Sequence, residues 1–441
     1  MSKIELHTTV EEVIECEDVS GFLLKKVNLG KIPLWTPSRA IYLSTDIPSR
    51  IRTKIIGLKE RTTLFEVNRI VYSDRSYEAI RTSLLESDED RIKKLLKVND
   101  SLSKENLSIS MSFSDFPHLR LEQHRFEELL DYIHAYSSIV FVPHIRYGEA
   151  KTKVKYAARN FCEHVDKAVK ILCDMNAKPI FVPFDINYDA ERRDQILAHY
   201  ANMGYTNLWI DFQGKVFSNT MVAKMRTLNR LINRFFGENA RNVVVYLSNI
   251  KKVSRETQET FKISPSDVIG VFSYGDIVGA PWKGVVIPYQ QSEEDTAYWE
   301  RKGYSSEEEY KLAVFKRDCS IFENNSYYYW HPDRIRIRNR QLDEIRKSIL
   351  QLGLLEHVTE MKTLVKAKSV AEAISYSLSG LMTSIELNQL RKKVEEDRIL
   401  LDYIEDKEFF KEEGSTILER LKATKKAKVK KRKEKEIFDF I

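Results

Sequence analysis

At 441 residues, with 42% hydrophobic and 11% aromatic content, the chain is long enough for one large domain with appendages or two to three smaller ones, and too apolar for global disorder. The formal charge of +6 is unevenly spread: KATKKAKVKKRKEKE at 422–436 carries a net +7 and leaves the remainder near −1. No apolar run reaches the ~18–20 residues that cross a bilayer, and the charged opening MSKIELHTTVEE excludes a signal peptide. Four scattered cysteines, Cys16, Cys162, Cys173 and Cys319, read as reduced thiols of a cytoplasmic protein.

Taken in chain order, residues 20–46 read as strands with turns, Pro33 and Pro37 limiting regular pairing. TTLFEVNRIVY (62–72) is a β-branched and aromatic strand, SYEAIRTSLLESDEDRIKKLLKVND is helical, and NLSISMSF (106–113) alternates as a strand does. LEQHRFEELLDYIHAYS is an amphipathic helix. From 138 to 276 come SSIVFVPHI, KPIFVPFDIN, TNLWIDFQG, RNVVVYLSNI and SDVIGVFSYGD, each short and apolar; long amphipathic stretches separate the first four. Strands alternating with helices imply parallel pairing. Counting 41–44, 64–71, 107–113, 139–144, 179–184, 207–211, 243–248 and 268–273 predicts a (β/α)8 TIM-like barrel over residues 1–284.

Beyond that barrel, residues 285–350 form an aromatic and arginine-rich extension that closes it, 351–420 a helical appendage, and 421–441 a basic tail. In the extension, YYYWHPD precedes RIRIRNR, where Arg334, Arg336, Arg338 and Arg340 alternate with Ile335 and Ile337 as on an arginine-faced strand. Clustered cations gain affinity for nucleic acid by releasing its counterions, which nominates Arg334, Arg336 and Arg338 along with Lys430, Lys431 and Arg432 of the tail. The competing reading is a solvated tail, and for the aromatics a packed core rather than base stacking. The apolar ending EIFDFI suggests docking of the tail on a partner protein or on the body itself.

His144, Asp185, Asp211, Asn249 and Asp276 fall at the carboxyl ends of their predicted strands, and in a parallel α/β fold those ends converge on the ligand-binding face. An Asp closing a buried strand is costly unless paired or facing a site. Each residue also has a plainer reading. Asp185 and Asp211 serve as loop caps, His144 as a satisfied structural histidine, Asp276 as a turn residue, and Glu66 as a partner of Arg69 or another cation. With 15 glycines and no glycine-rich phosphate loop, an ATP or nicotinamide enzyme is disfavoured.

The order of segments from about residue 27 to 350 resembles the tRNA-guanine transglycosylase superfamily. NLGKIPLWTP looks like its opening strand, and LRLEQHRFEELLDYIHAYSSIVFVPHI is similar to its helix leading into a substrate-recognition strand. YAARNFCEHVDKAVKIL is similar to the helix that follows, and CSIFENNSYYYWHPDRIRIRNRQLDEIRKSI to its closing segment. The resemblance implies a (β/α)8 barrel that exchanges a guanine for a 7-deazaguanine in tRNA or DNA through a carboxylate nucleophile. On that basis Asp276 is the expected nucleophile, Glu66 and Asp211 its catalytic partners, and His144, Arg146, Asp185 and Asn249 the substrate contacts. The chain departs from the family where the chemistry should be. TLFEVNRIVY lacks the glycines of the Asp-Ser-Gly-Gly-Phe-Gln motif, His144 stands where an Asp is usual, and Phe184-Asp185-Ile186 replaces Gln-Gly-Gly. Only Cys319 and His331 remain of the family's zinc ligands, two where a closed site needs four, so no metal or other cofactor is expected. The rival expectations are a non-catalytic nucleic-acid-binding or accessory relative that kept the barrel, and an unrelated barrel enzyme for a small phosphorylated substrate.

Overall fold

A computed structural model describes residues 6–60, 63–71, 73–113, 123–145, 158–175, 177–254, 262–282, 298–301, 303–353 and 361–422. The chain opens with three antiparallel strands, β1 (Thr8–Glu15), β2 (Leu23–Leu29) and β3 (Ile32–Thr36). β1, of sequence TTVEEVIE, was not foreseen; its charged alternation leaves one face in solvent. Next come β4 (Ser38–Arg39), β5 (Ile41–Tyr42), β6 (Phe65–Val71), β7 (Leu107–Phe113), β8 (Ile139–Phe141) and β9 (His144–Ile145). These are followed by β10 (Ile180–Phe184), β11 (Asn207–Asp211), β12 (Val244–Ser248), the short pair β13 (Val253–Ser254) and β14 (Ile263–Ser264), and β15 (Ile277–Val278).

One sheet runs β4-β15-β12-β11-β10-β8-β7-β6-β5, with β9 alongside β7, and its pairings are parallel. Its two ends are consecutive in the chain with only Ala40 between them. The Ala40 amide donates to the Val278 carbonyl (2.9 Å) and the Ile41 amide to that of Leu64 (2.8 Å). The sheet therefore nearly closes on itself as a barrel-like layer. Phe141, Phe181, Trp209 and Tyr246 fill its interior, the Phe141 ring lying 4.7 Å from Tyr246 and 5.2 Å from Trp209. Val27, Leu29, Ile32 and Leu34 of the N-terminal sheet join the same cluster as Leu64, Ile139, Val244 and Ile277 from the starts of the barrel strands. That sheet plugs the amino end.

Amphipathic helices cover the outside for the reason their spacing announces. The helix Ala158–Met175 buries Phe161, Cys162, Val165, Ala168, Val169 and Leu172. Asp189 caps the helix Ala190–Met203 by accepting from the Arg192 amide (3.0 Å), and Gly204, at φ +82°, ends it. The four cysteines are unpaired, and no helix among the described residues is long and apolar enough to cross a membrane.

The eighth expected strand, 268–273, is instead two helical turns, Ser266–Ile269 and Gly270–Phe272, and β15 takes the place beside β12 expected of it. A short apolar run looks alike in either conformation. Beyond it, β16 (Ile321–Glu323) and β17 (Tyr328–Trp330) complete a four-stranded sheet with β13 and β14. Arg334–Arg338 is not a strand. The helix Met361–Asp397 lies on the barrel's first strands and the end of β3: the Ser377 hydroxyl donates to the Tyr42 carbonyl (2.6 Å), and the Arg391 guanidinium to the Trp35 and Pro37 carbonyls (2.5 and 3.2 Å). It packs there as part of the body.

Candidate functional site

Along β7 the residues alternate. Leu107, Ile109 and Met111 face the outer core, whereas Ser108, Ser110 and Ser112 face inward and are buried. Each inward serine has a partner. The Ser108 hydroxyl donates to the Phe65 carbonyl (2.9 Å), Ser110 to Glu66, and Ser112 to Asp211 Oδ2 (2.6 Å). The polar groups occupy two levels of the interior.

The deeper level centres on Glu66, which has no solvent exposure. It accepts hydrogen bonds from Ser110, from the Tyr246 hydroxyl (2.9 Å) and from the Ala280 amide, and a methyl on Gly279 would sit 2.3 Å from its carboxylate. Burial pushes the Glu66 carboxyl above its ordinary range, although these three donors oppose the shift. A carboxyl whose folded pKa exceeds its unfolded one lends stability below the unfolded value and loses it as pH rises through the folded value. Glu66→Gln should therefore gain stability relative to the parent as pH climbs above the glutamate value of 4.5. Denaturation midpoints across that range check this, and parallel pH curves would refute it.

The upper level lies at the carboxyl rim and is built around Asp211, also fully buried. Its Oδ2 accepts from Ser112 and faces His144 Nδ1 at 3.2 Å. Its Oδ1 accepts from the Gln213 amide (3.0 Å) and from Asn249 Nδ2 (2.7 Å). A carboxylate has about four lone-pair directions, so Asp211 is saturated. Such a group orients others rather than attacking a ligand. It holds the His144 ring by Nδ1, which turns Nε2 away from Asp211. Asn249 closes the ring: its backbone is left-handed at φ +59°, a conformation asparagine tolerates better than most residues, and Asn68 Nδ2 donates to its Oδ1. Asp185, just beyond β10, is half-exposed. It accepts from the Asn187 amide and side chain (both 2.8 Å) and from Gln213 Nε2 (3.1 Å). Gln213 thus joins Asp185 to the Asp211 cluster.

His144, Asp185, Asp211 and Asn249 accordingly share one rim, with Glu66 a level below. Asp276 does not join them. It precedes β15 and so stands at the amino end of the sheet, not the carboxyl end. There Lys25 Nζ donates to it at 2.9 Å and the Val245 amide at 2.8 Å. The misplaced eighth strand is the reason, since a strand beginning after Asp276 instead of ending before it moves that residue to the opposite mouth. Arg146, Lys430, Lys431 and Arg432 lie outside the described residues. Arg334, Arg336 and Arg338 are exposed on the surface. Tyr327, Tyr328 and Tyr329 are fully buried, their hydroxyls bonded to Glu386 (2.6 Å), Glu412 (3.1 Å) and Asp267 (2.8 Å). They form core, and base stacking on them is ruled out.

Sequence reasoning missed Asn68, Ser112 and Gln213, although the LSISMSF alternation carries the signal for the serines. It also missed Lys252, whose ammonium lies over the rings of Tyr329 (4.1 Å) and Tyr376 (4.7 Å) and is lowered by burial to about 8. Cys319 is buried and His331 Nδ1 pairs with Asp333 at 2.7 Å. Among the described residues no cluster of three or more His, Cys, Asp or Glu is arranged to hold a metal ion. Compared with protein-family models and with curated proteins, the chain matches none.

Proposed function

We propose that the chain is a (β/α)8 barrel whose carboxyl rim takes a purine-type base of tRNA or DNA and exchanges it. The observation that carries this reading is the ring of hydrogen-bonding groups, Asn68, Ser112, His144, Asp211 and Asn249, contributed by five separate strands or strand ends at one mouth. A flat, polar heterocycle is the kind of ligand such a polar rim suits, with Asp211 spent on holding the other members in place. Base exchange requires a nucleophile for the sugar carbon and a proton donor for the departing base. Asp185, the rim carboxylate with solvent access, takes the first role, and His144 Nε2 the second. Asp211 holds the imidazole, and neither Asp276 nor Glu66 touches the reacting atoms. No resident metal or cofactor enters this scheme.

The test is incubation with tRNA or duplex DNA and radiolabelled guanine or a 7-deazaguanine. Label should enter one polymer, and Asp185→Asn or His144→Gln should slow entry by at least about a hundredfold. Asp276→Asn should leave the rate per folded molecule unchanged. Absence of incorporation into either polymer overturns the proposal.

A second reading rests on burial: His144, Asp211 and Asn249 are 1% exposed or less. In it the network is a rigid wall, and the protein is a non-catalytic nucleic-acid-binding or accessory relative with the same fold. Salt-dependent binding without incorporation would establish it.

A further inference from the structure

Between the four-stranded sheet and the helix Arg340–Gly353, burial alternates residue by residue. Arg334, Arg336 and Arg338 are exposed, Ile335 is 3% exposed and Ile337 packs half-buried against the main core. Ile335 has extended backbone (φ −97°, ψ 131°). The isoleucines clamp the segment to the body, which leaves Arg334, at the end of the short turn Pro332–Arg334, together with Arg336 and Arg338 on its solvent side.

Among the described residues no carboxylate lies within ion-pair distance of Arg334, Arg336 or Arg338, while their neighbours pair elsewhere: His331 with Asp333 (2.7 Å), Arg340 with Glu344 (3.5 Å) and Arg346 with Asp343 (2.7 Å). Arg340, 93% exposed at the side chain, continues the row into the first turn of its helix, where the macrodipole disfavours a cation. Like charges held side by side cost stability, and among the described residues no carboxylate offsets that cost for Arg334, Arg336 or Arg338. Half-buried Trp330 flanks the row, with the Arg334 guanidinium 6.0 Å and the Lys262 ammonium 5.6 Å from its ring.

We propose that Arg334, Arg336 and Arg338 are a phosphate-binding comb for the backbone of single-stranded nucleic acid, with Trp330 beside it as a stacking surface. Guanidinium forks match phosphate oxygens, and three exposed arginines within five residues can engage neighbouring phosphates of a flexible strand. An aromatic flank suits unpaired bases, whose faces a duplex hides. This inference rests on the nucleic-acid reading above for the class of partner, but not on base exchange.

The full chain, basic tail included, is titrated by fluorescence anisotropy with oligothymidylate, oligouridylate and a duplex between about 50 and 200 mM salt. The triple variant Arg334→Gln/Arg336→Gln/Arg338→Gln should bind both single strands at least about tenfold more weakly. Its log–log salt slope should be shallower by about 2, from about 0.7 per lost phosphate contact. Trp330→Ala should weaken single strands and leave the duplex unaffected. An unchanged affinity and slope in the triple variant overturns the comb and assigns binding to the tail. Equal losses on duplex and single strands overturn the single-strand assignment, and competition by polyglutamate as effective as by oligonucleotide reassigns the surface to acidic proteins. Base exchange that persists in a variant with wild-type binding would sink the comb alone. Loss of binding by the triple variant without any exchange in the parent would sink only the enzyme reading.

Discussion

Asp276→Ala should destabilise the protein by about 3–5 kcal/mol, the usual cost of stranding one member of a buried ion pair. The side chains of Lys25 and Asp276 are 6% and 3% exposed, so neither charge recovers water when its partner is removed. Lys25 also donates to the Val243 carbonyl (2.6 Å), and Asp276 Oδ2 accepts from the Val245 amide (2.8 Å). The pair therefore ties the N-terminal sheet to the amino end of β12 and β15 in one step. Denaturant midpoints measure the loss, with an unchanged m-value showing that the unfolded state is unaffected. Amide exchange should quicken first in β2 and β3, which the variant unpins from the barrel. A loss below about 1 kcal/mol would mean that the pair is worth no more than a surface contact.

That residue also shows where sequence reasoning stops. Strands β6 to β12 were legible because their apolar runs are short, β-branched or aromatic, and bounded by polar turns. For the same reason His144, Asp211 and Asn249 stood out, since a polar group closing a buried run needs a partner. VIGVF is equally apolar, yet it turns helically. The deciding interactions are remote: Asp267, within that turn, meets Arg39, and the carbonyl of Asp276 accepts from the Ser38 amide (2.8 Å). Pairing between the first and last strands of a barrel leaves no trace in local periodicity. The tyrosines at 327–329 illustrate the converse, because their composition fits base stacking and core equally, and only their buried carboxylate partners decide for the core.

The Arg39–Asp267 pair sets up the second large effect. Both side chains are 1% exposed and 2.9 Å apart, and the Tyr329 hydroxyl lies 2.8 Å from each oxygen of Asp267. Asp267→Ala would leave a guanidinium and a phenol buried without their acceptor, and should cost about 3–5 kcal/mol. Among the described residues Arg39 Nε and Nη1 already lack hydrogen-bond partners, so none of these offers the arginine a second acceptor. Arg39→Met should be milder, because Asp267 keeps the tyrosine. Combining Arg39→Met with Asp267→Leu should recover part of the loss, since two apolar side chains remove both charge-desolvation penalties together and leave the Tyr329 hydroxyl as the group that has lost its acceptor. A double-mutant cycle on denaturant midpoints reads the coupling directly. Strictly additive losses would show that the two residues act independently, and that the helical turn Ser266–Ile269 and β4 are joined by packing alone.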